Sequence, residues 1–312
     1  MIAESAQNVQ QLLDTARRAE DAGFSILLLR DHLVEGPFLH QLAPLTALAA
    51  VAGATTTLRI GTLVISNDFR HPAVLAKEVA TLDQVSGGRF ELGLGAGFLR
   101  RDYVGTGLRF DQPGERVSRL EESIAVMKAL FGTGPVTHHG RHYTIEGLDS
   151  FPKPVQRPHP PIQVAAARRR MLSIAARHAD IVGLQTVSTT GGVMTDDPAG
   201  RSAGTVAEQV ALVRQAAGDR FERLELSMTA AFVITDHPNA AAEDLARERG
   251  WSGISAEQVF DMPSVFVGSV EHVVDLLDER RETHGLSYFV VSDRALSTLT
   301  PVVGSLVKGE AL

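Results

Sequence analysis

Residues 59–97 read RIGTLVISNDFRHPAVLAKEVATLDQVSGGRFELGLGAG and decide the fold. An apolar, β-branched run from Ile60 to Ile65 breaks at Asn67–Asp68. Pro72 then opens a helix, a place where its missing N–H would have had no partner anyway. Apolar residues at Val74, Leu75, Val79, Leu82 and Val85 recur at helical spacing, and Gly87–Gly88 stops the helix. A second apolar run, Phe90 to Leu94, ends in Gly95, Ala96 and Gly97. This is a strand–helix–strand unit, which calls for two parallel neighbours. Its glycine-rich end falls at the carboxyl end of a strand, where parallel α/β folds bind their ligands.

The same alternation runs through the 312 residues. Asn8 can cap a helix that runs to about Ala22, and Phe24–Leu29 is a strand buried on both faces. Seven clear strands are centred near residues 26, 62, 92, 164, 182, 229 and 289, with a minor eighth near 265. The reading is a single α/β domain over 1–312, a (β/α)8 TIM barrel, with excursions at about 98–112, 134–161 and 188–204. Its first strand is missing or truncated, since only Met1 to about Ala6 precede the first helix. Either the barrel lacks that strand and exposes two edges, or those residues form a stub.

Bulk composition narrows the function. The net charge of −7 leaves no basic footprint for nucleic acid. The absence of cysteine removes disulfides, thiolate metal sites and a cysteine nucleophile, and is compatible with a reducing cytoplasm. No apolar run approaches the roughly 20 residues a bilayer requires.

Several groups could carry chemistry. Asp31 and His32 close the first clear strand, a carboxylate beside an imidazole placed for proton transfer or ligand contact. They read equally well as a helix cap and a surface histidine. Gly93, Gly95 and Gly97 suit a strand end where a flat or phosphorylated ligand approaches the backbone, or a tight barrel corner. As a dinucleotide fingerprint they are weak, because the irregular stretch 98–112 follows instead of a helix. Arg168–Arg169–Arg170 stand at a helix start, where cations and free backbone N–H groups could grip a phosphate. His138, His139 and His142 cluster in a hairpin, too exposed for a metal site to be expected, and no metal ligands are assigned.

Taken together, LLLRDHL at 27–33, the 61–97 stretch, PVQRPHPPIQVAAA at 154–167 and VFVGSVEHVVDLLDERRETHGLSYFVVS at 265–292 resemble the bacterial luciferase-like superfamily. They are most similar to its deazaflavin-using branch, the coenzyme F420-dependent oxidoreductases. The resemblance implies a barrel with the coenzyme at the strand tips and hydride transfer to or from a small organic substrate; dimers are common in the family, so a homodimer is possible, and the expected location is cytoplasmic. It implies that Asp31 contacts the deazaflavin and that His32 is catalytic. Leu63–Val64 would form a non-prolyl cis peptide backing the ring. Gly95, Ala96 and Gly97 would lie along the coenzyme side chain, and Ala165, Ala166 and Ala167 near its phosphate. Two departures stand out: Phe98 replaces an acid found in the family's sugar-phosphate dehydrogenases, and Ala167 and Arg168 fill places usually held by glycine. The alternatives are an FMN-dependent monooxygenase of the same superfamily and a flavin-binding barrel without activity.

Overall fold

The computed structural model describes residues 1–36, 38 and 41–309; residues 37, 39, 40 and 310–312 of the expected domain lie outside the described residues. Asn8 caps α1 (Val9–Asp21) by accepting from the Gln11 amide, and α1 buries Leu12, Ala16 and Ala19. After it come β1 (Ile26–Leu29), α2 (Pro44–Ala54), β2 (Arg59–Thr62) and the two-residue β3 (Ile65–Ser66). Pro72 opens α3 (Pro72–Val85), which leads to β4 (Phe90–Gly95). Val74 and Val85 face solvent, so the buried stripe of α3 runs instead through Leu75, Ala76, Val79, Ala80 and Leu82.

The stretch 98–112 is not irregular throughout. It contains the seven-residue α4 (Arg100–Thr106), which starts three residues after Gly97. Then follow α5 (Pro113–Phe131), the antiparallel hairpin β5 (Val136–His139) and β6 (Thr144–Leu148), and β7 (Ile162–Ala166). Buried Asp83 of α3 fastens the proline-rich return to the barrel by accepting from the amides of Val155 and Gln156 and from the Gln156 side chain. The chain continues through α6 (Arg169–His178), β8 (Ile181–Leu184), α7 (Ala203–Ala217) and β9 (Glu225–Thr229).

The run Leu224–Ile234, expected as one strand, changes partner at Ala230. The Ala230 amide donates to Val290 in the ring, whereas the next amide donates to Ser264 outside it. Residues Ala231–Ile234 (β10) thus pair with β11 (Val265–Gly268) in a separate parallel two-stranded sheet. The minor candidate near 265 is therefore not a ring strand. α8 (Pro238–Glu248) and α9 (Ala256–Phe260) cover this small sheet around Leu245, Trp251, Val259 and Met262. α10 (Val270–His284), β12 (Leu286–Val290) and α11 (Leu296–Gly309) complete the chain.

Parallel pairing runs in the order β1–β2–β4–β7–β8–β9–β12. The two ends of that row are joined by a stub. Ile2 bridges Leu28 on one side and Ser292 on the other; its amide donates to Val291, and the Ala3 amide donates to Leu28. The first strand is thus present in truncated form, and these bonds satisfy the two edges that its absence would have exposed. The result is a closed (β/α)8 barrel.

The barrel interior is a packed core, not a pore. Ile2, Ile26, Leu28, Ile181, Tyr288 and Val290 meet there, apart from the larger core beneath the helices. Glu91 is fully buried in the barrel, where it accepts from Tyr288 Oη at 3.2 Å and from Arg59 Nη2 at 2.8 Å. Burial pushes its carboxyl up to about 7, against the pull of Arg59 and the Tyr288 hydroxyl. Among the described residues, no helix is long and apolar enough to cross a membrane.

Candidate active site

The tips of β1, β2 and β4 carry most of the expected site residues, and each has a defined neighbour. Asp31 is buried, and its carboxylate takes a forked pair from Arg70, 2.6 Å from Nη1 to Oδ2 and 3.3 Å from Nη2 to Oδ1. The Ser66 amide donates to the same Oδ2 at 3.1 Å. The Arg70 in NDFRHP therefore locks the β1 tip to the turn after β3, a pairing that a separation of 39 positions hides from the sequence.

His32 lies beside it with a side-chain exposure of 14%. Its ring stacks on Phe38 at 4.5 Å and meets the edge of Phe98 at 5.8 Å. Nδ1 lies 2.8 Å from Oδ2 of Asp102 in α4. Sequence reading missed Asp102, although it is the sole carboxylate between Glu91 and Asp111. Arg30 pairs with Glu4 and lays its guanidinium over Phe38, 4.4 Å from the ring centre.

The Leu63–Val64 peptide is cis, as expected. From Ile60 to Asn67 every residue is buried except these two, which leave an apolar step open at the rim. The glycines behind it have another purpose than close approach of a ligand. A Cβ on Gly93 would lie 1.9 Å from the Thr62 carbonyl oxygen, one on Gly95 would lie 2.7 Å from a Val64 methyl, and one on Gly97 would lie 1.9 Å from the Tyr103 hydroxyl. The protein itself fills those spaces. Gly97 also adopts φ +72°, which favours glycine.

Beyond β4, Ala96 and Gly97 are partly exposed, as are Ala165 and Ala167, whereas Ala166 is buried in the core beneath the helices. The Ala167 carbonyl accepts from Gln209. Exposed Arg168 donates to Thr190 Oγ1 at 2.8 Å, and Arg170 turns aside to bind Gly114 and Ser118 of α5. The three arginines do not act as one grip. The hairpin histidines also separate: His138 faces Glu122, His139 faces Glu146 and His142 faces Glu115. A polar cleft of about 460 Å³ between Asp68, Asp111, Arg119 and His142 contains none of the expected site residues.

The rim thus joins an imidazole held by a carboxylate, two aromatic walls and an apolar step. Comparison with known proteins places the chain in a family. The model of the luciferase-like monooxygenase family matches residues 1–285. A relative from Amycolatopsis mediterranei, an F420-dependent glucose-6-phosphate dehydrogenase, is 30% identical over 282 residues, covering 86% of this chain and 77% of its own. The FMNH(2)-dependent dimethylsulfone monooxygenase of Pseudomonas putida is 30% identical over 166 residues, 53% of this chain and 46% of its own. The match to the F420-dependent glucose-6-phosphate dehydrogenase of Microbacterium testaceum, 34% identical over 175 residues, likewise spans about half the length of that relative. Among solved structures, an F420-dependent secondary alcohol dehydrogenase in complex with an F420–acetone adduct superimposes with a TM-score of 0.72 at 18% identity, over 97% of this chain and 98% of its own. A riboflavin lyase reaches 0.77 at 16% identity, over 98% and 85%. These likenesses share the barrel, and the family match covers nearly all of its strands. The chain belongs to the luciferase-like monooxygenase family.

Proposed function

We propose that the protein is an oxidoreductase that exchanges a hydride between coenzyme F420 and a small, uncharged organic substrate. The observation that carries this reading is one rim holding both His32 and the partly exposed Leu63–Val64 step. The residues present fit such a coenzyme. Leu63 and Val64 offer an apolar surface to a flat ring. The small, partly exposed Ala96, Ala165 and Ala167 leave room along the rim, and Arg168 is an exposed cation at a helix start. In this reading Asp31 and the 95–97 turn border the coenzyme, and Arg168 replaces a glycine-lined phosphate site with charge. When bound, the deazaflavin supplies a two-electron hydride donor or acceptor.

The chain's own residues do the rest. His32 moves a proton to or from the substrate oxygen. Phe38 and Phe98 hold the imidazole and exclude water on two sides. Arg30 is already paired with Glu4, and Phe98 stands where the sugar-phosphate enzymes carry an acid. Both features favour an uncharged substrate over a phosphorylated sugar.

Fluorescence titration of purified protein with F420 and with FMN tests this. F420 is expected to bind at least about tenfold more tightly, a gap of roughly 1.4 kcal/mol. Selective FMN binding would instead favour a reduced-flavin monooxygenase, like the Pseudomonas putida relative. Binding of neither would leave a barrel without coenzyme chemistry. Arg168→Ala is expected to weaken F420 binding about tenfold, as loss of one charge-assisted contact does. Its melting temperature should stay within about 2 °C of the parent, because Arg168 is exposed and bonded only to Thr190 among the described residues. Unchanged affinity would remove Arg168 from the site.

A further inference from the structure

We infer that Asp102 is a positioning residue that selects the working nitrogen of His32, an assignment that rests on the hydride-transfer reading above. Asp102 is 2% exposed, and two backbone N–H groups and one ring nitrogen converge on it. Oδ1 accepts from the amides of Leu33 at 2.9 Å and Val34 at 3.1 Å, and Oδ2 faces His32 Nδ1 at 2.8 Å. The carboxylate thereby holds both the imidazole and the two residues that follow it. α4 in turn holds the carboxylate: the Asp102 amide donates to Leu99, and Thr106 Oγ1 donates to the Asp102 carbonyl.

A carboxylate only accepts hydrogen bonds. The ring proton therefore sits on Nδ1, and Nε2 keeps its lone pair. The ring cannot turn over to exchange the two nitrogens without leaving Asp102, and Phe38 and Phe98 restrict that motion. Nε2 has no hydrogen-bond partner among the described residues. It is the nitrogen left to accept the hydroxyl proton of an alcohol while the adjacent C–H bond gives up its hydride, with both electrons, to the oxidised coenzyme. In the reverse direction the protonated Nε2 returns that proton to the carbonyl oxygen as the carbon receives hydride.

The assignment is tested first without coenzyme. Long-range proton–nitrogen NMR of uniformly ¹⁵N-labelled protein at pH 8, where an ordinary imidazole is neutral, reports which ring nitrogen carries the proton. A His32→Gln sample identifies the signal. The parent is expected to show the Nδ1–H form. In Asp102→Asn, the amide oxygen keeps the Leu33 and Val34 contacts while the amide nitrogen donates to Nδ1, so the ring should switch to Nε2–H. Asp102→Glu should return it to Nδ1–H. An Nε2–H ring in the parent, or an unchanged form in Asp102→Asn, would overturn the assignment; the parent result stands even if a variant does not fold. With F420 and a turned-over alcohol, Asp102→Asn should lower kcat about 10- to 100-fold. Its F420 dissociation constant should change less than about threefold, and Asp102→Glu should recover much of the rate. A loss confined to coenzyme binding would count against positioning. Absence of any F420 binding by the parent would sink the proposed function, while the NMR outcome would still decide the tautomer.

Discussion

Gly93→Ala should lower the melting temperature by about 10 °C or more, or leave the protein insoluble. The added Cβ would lie 1.9 Å from the carbonyl oxygen of Thr62 and 2.9 Å from its carbonyl carbon. Both are backbone atoms of the neighbouring ring strand, so no side-chain rotation relieves the clash. The same two residues are cross-bonded, with the Gly93 amide donating to Thr62 Oγ1 at 2.9 Å and that hydroxyl donating to the Gly93 carbonyl at 3.0 Å. Separating them breaks these bonds together with the β2–β4 pairing. Overpacking where side chains can shift costs about 1–3 kcal/mol; here the backbone must move, and a cost on the order of 4 kcal/mol follows. At about 2–4 °C per kcal/mol, that gives the stated drop. The identical change at Gly53 is the control. That position lies in α2 with no heavy atom within 4 Å of the new Cβ, so alanine should be neutral or stabilise by up to about 1 kcal/mol. Calorimetry of both variants decides the matter: a Gly93→Ala melt within about 2 °C of the parent would show that the glycine serves something other than packing.

Glu91→Gln should stabilise the protein at pH 8 by roughly 3 kcal/mol and make no difference near pH 4. Burial raises the folded carboxyl to about 7 from an ordinary 4.5. Below 4.5 the group is protonated in both folded and unfolded chains and contributes nothing to the pH dependence. Between 4.5 and 7 the folded state holds the proton more tightly, so stability falls as pH rises. Above 7 the folded chain carries a buried charge whose cost is about 1.4 kcal/mol per pH unit of displacement. Glutamine carries no charge and still offers an oxygen to the Tyr288 hydroxyl. Arg59, whose side chain is 41% exposed, can turn to water when its partner becomes neutral. The parent-minus-variant difference across a pH series of denaturant melts cancels the titrating groups that do not interact with Glu91. A parallel pair of stability curves, or a variant weaker at pH 8, would mean that the Arg59 pairing outweighs burial.

Much of this architecture was legible because it is local. Pro72, the Gly87–Gly88 stop and the two apolar runs around them specify β2, α3 and β4 within 39 residues, and their repeat specifies the barrel. The cis peptide at Leu63–Val64 came through the family resemblance rather than from spacing. What stayed hidden is non-local. Helix α4 opens with two arginines against its dipole, and its N-cap residue Leu99 makes no side-chain cap, so no local signal announces it. Burial of Tyr103 and Asp102 holds it instead. Asp102 and His32 lie 70 residues apart, and no periodicity records their contact. The glycines of GLGAG could be read as glycines, but whether a ligand or the protein fills the space beside them is a question of tertiary packing. Leu224–Ile234 looks continuous because the change of partner at Ala230 leaves no break in its apolar pattern.

The stub at the amino end has a mechanical consequence. Ile2 is wedged in the seam between Leu28 and Val291, and two residues on, Glu4 grips Arg30. Arg30 rests on Phe38, and Phe38 rests on the imidazole. Four successive links thus lead from the seam of the ring to the His32 imidazole. Tension on the first three residues would be transmitted along this linkage, so the placement of the His32 ring is tied to how firmly the seam stays fastened.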